Sequence, residues 1–135
     1  MTISRLILAI VVVFIATSAL GTLIHAYLLA GDYASVGSSL YRAQADLKLP
    51  LIFVSNLAFA IGAVWIYSHG VEDKPWIGQG FRFGIALWLV VAVPSFLVSY
   101  AVQPVPEMLV AKQLAYEFVN KVLLGIVTAA MVRKA

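Results

Sequence analysis

The hydrophobic positions of this chain gather into four long blocks with shorter polar stretches between them. They cover about residues 6–30, 49–68, 83–102 and 108–132. Each holds about 20 residues or more, enough for a helix to cross a hydrocarbon layer of about 30 Å. The pattern predicts an all-α membrane protein, a four-transmembrane-helix bundle forming one domain. Between the first two blocks, Tyr33, Val36, Leu40 and Tyr41 fall at helical spacing beside polar residues, which predicts a short interfacial segment. Residues 70–80, rich in glycine and carrying Pro75, read as a turn-rich loop. The last connection, Gln103-Pro104-Val105-Pro106, is so short that the third and fourth spans must form an antiparallel hairpin.

Composition agrees with this reading and narrows it. Of 135 residues, 63% are hydrophobic and 11% charged, so there is no polar shell for a soluble domain of this size. Cysteine is absent, which excludes thiol–disulfide chemistry and thiolate ligation. The first apolar run continues to Ala30, well beyond the 7–15 residues of a signal-peptide core, and is read as a retained span.

Charge then sets an orientation. Arg5, Lys74, Arg82, Arg133 and Lys134 collect on one side of the predicted bundle, against Arg42 and Lys48 on the other. The positive-inside rule places both termini in the cytoplasm. Trp65, Tyr67 and Trp76 fall at the inner interface and Tyr27, Tyr33, Tyr41 and Tyr100 at the outer one. A faint internal repeat overlays Ala19–Tyr27 on Ala92–Tyr100 and Phe53–Asn56 on Phe118–Asn120. It would make the two hairpins parallel repeats about an axis normal to the membrane.

Candidate chemistry concentrates in the fourth span. Glu117 lies ten residues beyond Glu107, about 15 Å deep at the helical rise and so near the midplane. Gln113, Glu117, Asn120 and Lys121 share one side of this helix, with Lys112 at its edge. Ionised groups at that depth cost a few kcal/mol or more and usually face the bundle interior. Two readings stay open. Glu117 and Lys121, four residues apart, can neutralise each other, with Asn120 bonding a neighbouring helix and Lys112 snorkelling outward. Alternatively, Glu117 is a buried carboxylate that titrates or binds a ligand. Asn56 in the second span and Ser95 beside Pro94 in the third reach a similar layer, and His25 lies above it in the first. Pro94 is expected to kink its helix, with Ser95 or Ser99 satisfying the freed carbonyl. A lone histidine at this depth is more often a packing residue than a ligand. The other histidine, His69, falls at the opposite surface, so a bis-histidine haem within one subunit does not fit. Gly80 and Gly84, like Gly125 and Ala129, stand four apart and predict close helix approach. Gly78-Gln79-Gly80-Phe81-Arg82 also admits a weaker reading as a cradle for a lipid phosphate.

Tyr41–Asp46, Pro75-Trp76 with Gly78–Gly84, and Tyr100–Pro104 resemble segments of a family of small bacterial four-span proteins. The resemblance covers most of the chain and implies a multi-pass protein of the bacterial inner membrane. It carries no assigned activity and transfers no site residue. The leading expectation is binding of a small or amphiphilic ligand around Glu117, with Asn120, Lys121, Gln113, Asn56, His25 and Ser95 as further candidates. Such a protein could serve as a transporter or channel subunit, within a homo-oligomer because four helices enclose little more than a crevice. The alternatives are a structural or accessory subunit meeting another membrane protein and, weakest, a lipid-acting enzyme using Glu117 or His25. No nucleophile or metal cluster accompanies those residues. Neither a cofactor nor a nucleic-acid partner is expected.

Overall fold

The computed structural model describes residues 1–133 and is helical nearly throughout. Helix α1 (Ile3–Thr22) starts at Thr2, whose hydroxyl accepts from the Arg5 backbone N–H at 3.3 Å. It runs into a π-helical segment, Leu23–Leu28, and after a break at Leu29 into the short α2 (Ala30–Val36). Helix α3 (Leu49–His69) carries Pro50 in its first turn, where the missing N–H costs nothing. Helix α4 (Trp76–Leu87) follows Pro75 and continues through a second π-helical segment, Trp88–Ala92, into α5 (Val93–Val102). Helix α6 (Glu107–Val132) begins after Pro106. Ile3–Leu28, Leu49–His69, Trp76–Val102 and Glu107–Val132 are long and apolar enough to cross a membrane.

Three expectations change at the boundaries. Span three begins at Trp76, so residues 76–82 are helix and the loop stops at Pro75. The reason is local. Gln79, one turn into α4, folds its amide back onto the loop, accepting from Glu72 N at 2.9 Å and donating to Glu72 O at 2.8 Å and Lys74 O at 2.7 Å. Gly78 and Gly80 are therefore helix interior and no phosphate-cradling loop. The segment after span one is helical only as far as Val36, because Gly37 turns the chain at φ +90°. Leu40 and Tyr41 lie beyond that turn yet still pack with Tyr33 and Val36 against Ile24, Leu29, Val105 and Leu109.

Helix α6 is the common partner, packing on α1, α3, α4 and α5. Half of its apolar window is buried, against 11–22% for the other three spans, which leave most of their surface to the outside. The closest approach is between α4 and α6. A Cβ on Gly84 would sit 2.5 Å from the Lys121 carbonyl oxygen, and one on Gly80 2.8 Å from the Ala129 Cβ. Gly125 faces both glycines, so backbone meets backbone as the four-residue spacing predicted. Ala9, Val13, Ala60, Val64, Ala129 and Val132 form the apolar core at one end.

The ends of the bundle are distinct. An Arg5 guanidinium N–H donates to the Arg133 carbonyl at 3.3 Å, and the Arg133 guanidinium lies 5.0 Å over the Trp76 ring. Both ends of the described chain and the second connection thus share one end, whereas Lys134, expected on the same side, lies outside the described residues. At the other end Lys112 of α6 pairs with Asp32 of α2 at 2.9 Å. In the overlay of residues 19–27 on 92–100, the first π-helical segment falls opposite residues 96–101 and out of step with Trp88–Ala92.

Candidate functional site

The polar stripe of α6 faces inward. Gln113, Glu117, Asn120 and Lys121 are 3%, 4%, 4% and 8% exposed, since their spacing of three and four residues keeps them on one helical face turned toward α1. Three side chains converge on the Glu117 carboxylate. Its Oε2 accepts from Lys121 Nζ at 2.7 Å and from Asn120 Nδ2 at 3.1 Å, and its Oε1 lies 3.0 Å from His25 Nε2. Lys121 also lies 5.2 Å from the centroid of the Phe59 ring, a favourable place for a cation in an apolar layer.

His25 reaches this carboxylate from the π-helical segment of α1. There the Leu29 N–H bonds to the Ile24 carbonyl five residues back, at 2.8 Å, so the turn is one residue wider than an α-turn. The Ala26 carbonyl in the same segment accepts from the Gln44 side chain at 3.0 Å, one way the irregular backbone is satisfied. Beyond the break, α2 brings the Tyr33 hydroxyl to 2.7 Å from His25 Nδ1, and Gln113 Nε2 donates to that hydroxyl at 3.2 Å.

These contacts have one consistent direction. Burial raises the Tyr33 hydroxyl to about 12, more than its hydrogen bond from Gln113 lowers it, so it keeps its proton at physiological pH. Accepting from Gln113, it donates to His25 Nδ1, and His25 in turn donates from Nε2 to Glu117. The tautomer is assigned from this network. A continuous chain runs Gln113, Tyr33, His25, Glu117, Lys121, with Glu117 and Lys121 cancelling in charge. One buried acceptor of the layer, Asn120 Oδ1, has no partner among the described residues. The His25 side chain is 37% exposed, between Tyr33 and Phe96 rings stacked 6.0 and 6.5 Å away, and is the exposed edge of the network.

The other candidates stand apart from this network. Asn56 donates to the Ser18 hydroxyl at 3.3 Å, tying α3 to α1 instead of meeting Glu117. Ser95 is exposed and its hydroxyl bonds the Val91 carbonyl at 2.6 Å, beside the π-helical segment that accommodates Pro94. His69 bonds the Trp65 carbonyl at 2.8 Å at the far end of α3. Lys112 is held by Asp32, so it does not simply snorkel. Helical spacing places Tyr33 in an interfacial segment and does not connect it to the α6 stripe, nor does it single out Asp32. The available signal was Tyr33 eight residues after His25, but the π-turn between them removes ordinary helical register.

Among known protein families, curated proteins and solved structures, none matches this chain. The class stands on its own features: a multi-pass, strongly hydrophobic helical protein with a buried cluster of charged and polar groups.

Proposed function

We propose that this chain is a multi-pass protein of a bacterial inner membrane, with both termini cytoplasmic, that binds a small polar or amphiphilic ligand at the edge of the His25–Glu117 network. The observation that carries the reading is the asymmetry of that network. Its carboxylate is sealed by donors, while the histidine bonded to it is over one-third exposed and flanked by aromatic rings. A ligand can engage His25 and the Tyr33 and Phe96 rings without first extracting Glu117 from its partners. Asn120 Oδ1 offers one spare acceptor deeper in. Four helices of this length surround little more than a narrow crevice, so transport or conduction in this reading takes a homo-oligomer or another membrane protein.

The accessory-subunit reading has its own support. Glu117 accepts from three donors and its charge is cancelled by Lys121, an arrangement sufficient to hold α6 against α1 with no ligand at all.

Native mass spectrometry of the protein purified from membranes in mild detergent separates the two readings. Ligand binding predicts a reproducible small-molecule adduct that is lost in His25→Ala while the protein stays folded. An adduct-free protein, or an adduct indifferent to His25→Ala, overturns ligand binding and leaves the accessory role.

A further inference from the structure

A second site lies at the opposite end of the bundle, where the end of α3 meets the start of α4. There an open groove of about 190 Å³ is lined by Tyr67, Gly70, Glu72, Gln79, Arg82 and Phe83, among others. Most polar groups around it are already committed. The Gln79 amide is spent on the loop backbone, and the Glu72 carboxylate is paired with Lys74, whose ammonium holds it below the usual carboxylate range. Two groups are not committed. Tyr67 is 6% exposed, and its buried hydroxyl has no hydrogen-bond partner among the described residues. Its ring is fixed edge-on to Phe83, with centroids 5.1 Å apart. Arg82 has neither an ion pair nor a hydrogen bond among the described residues, and the one acidic side chain lining the groove, Glu72, is taken by Lys74.

A buried hydroxyl left unbonded is destabilising, so an idle one beside an unpaired guanidinium is better explained by an absent partner than by indifference. That partner must accept a hydrogen bond and carry negative charge. A phosphate group does both, offering several oxygens to the planar fork of an arginine. Depth selects its source. Arg82 lies six residues into the span that starts at Trp76, about 9 Å along the helix, where an interfacial tryptophan places the headgroup layer within reach. Arg5, Lys74 and Arg133 lie at the same end, giving it the positive character that anionic lipids favour.

We propose that the Tyr67–Arg82 groove binds a phosphate group, supplied by the headgroup of an anionic phospholipid. Tyr67 donates one hydrogen bond and Arg82 supplies the charge, while Gln79 holds the loop that forms the rim.

Tyr67→Phe is a clean test, because it deletes a hydroxyl that bonds nothing in the protein. Retention of phosphatidylglycerol by the full-length protein is measured by native mass spectrometry, with phosphatidylcholine as the zwitterionic comparison. The wild type should retain phosphatidylglycerol in preference to phosphatidylcholine. Tyr67→Phe should weaken that retention about five- to tenfold, and the surface change Arg82→Gln by tenfold or more. Inorganic phosphate at millimolar concentration is the competing arm. If it does not displace the lipid, the headgroup assignment stands; if it displaces the lipid and itself protects the wild type but not Arg82→Gln from thermal unfolding, free phosphate takes the lipid's place. Equal retention of both lipids, or retention unchanged in both variants, overturns the site.

Discussion

Replacing Glu117 with glutamine removes one charge and one acceptor from a layer where three donors converge. The wild-type carboxylate accepts from Lys121 at 2.7 Å, Asn120 at 3.1 Å and His25 at 3.0 Å. The amide offers one oxygen and presents an NH₂ group that must face a donor. If the oxygen stays with Lys121 and Asn120, the NH₂ meets His25 Nε2. The imidazole can answer by moving its proton to Nδ1, but the Tyr33 hydroxyl then accepts from both His25 and Gln113 and its own proton loses its acceptor. The larger cost is charge: Lys121, 8% exposed, loses its counter-ion. Breaking a buried pair from one side costs about 3–5 kcal/mol, much of it the penalty of the stranded ion. Glu117→Gln is therefore expected to lose about that much, read as the free energy of unfolding by a denaturing detergent in mixed micelles. Lys121→Met should lose a comparable amount by stranding Glu117. The double variant should regain most of either loss, standing about 2–3 kcal/mol above either single variant. Additive losses, or a Glu117→Gln protein as stable as the wild type, would show that the buried pair does not carry its charges as drawn here.

Three further outcomes follow from other parts of the molecule. Gly84→Ala should destabilise by about 1–3 kcal/mol because its Cβ meets the α6 backbone, whereas Gly78→Ala, with nothing within 4 Å, should be neutral or slightly stabilising in the same unfolding assay. Tyr33→Phe should cost about 1–3 kcal/mol by stripping His25 Nδ1 and Gln113 of a shared partner. Because the folded-state hydroxyl titrates at about 12 rather than 10, the folded protein holds that proton more tightly, so wild-type stability should fall between pH 10 and 12 and Tyr33→Phe should lack this part of the decline. Topology reporters fused after Ala135 and within residues 38–46 should report opposite sides of the membrane, and identical behaviour at the two places would refute the four-span orientation.

The four spans were legible because their apolar blocks have the length a bilayer imposes, and the inward face of α6 because polar residues three and four apart can only share one side. Residues 76–80 read as loop from the sequence for a definable reason. Two glycines and a proline signal a turn locally, but Pro75 stands ahead of the helix, and Gly80 is selected by the backbone of α6, a contact far away in sequence. The place of His25 was hidden for a different reason. Depth can be counted from a sequence with a constant rise, but the direction of a side chain cannot be counted through a π-turn that no residue pattern announced. Asn56 was matched to Glu117 by depth alone, and Ser18, on the helix facing it, claimed its amide instead.

The division of labour among the helices also bears on how such a protein is made. Spans one to three have mean hydropathies of 2.6, 2.1 and 2.2, so each can partition into lipid on its own account. Span four, at 1.4 and bearing Glu117 and Lys121, is the reluctant one. It is also synthesised after the others, when α1 is already in place to offer His25 and α3 to offer the Phe59 ring. Within the span, the ion pair presents no net charge to the bilayer during transfer. Late emergence thus delivers the helix with the greatest need for protein contact into a membrane where those contacts already wait. Moving this segment to the front of the chain, or delaying α1, would leave a marginal span facing bare lipid and exposed to quality-control proteolysis.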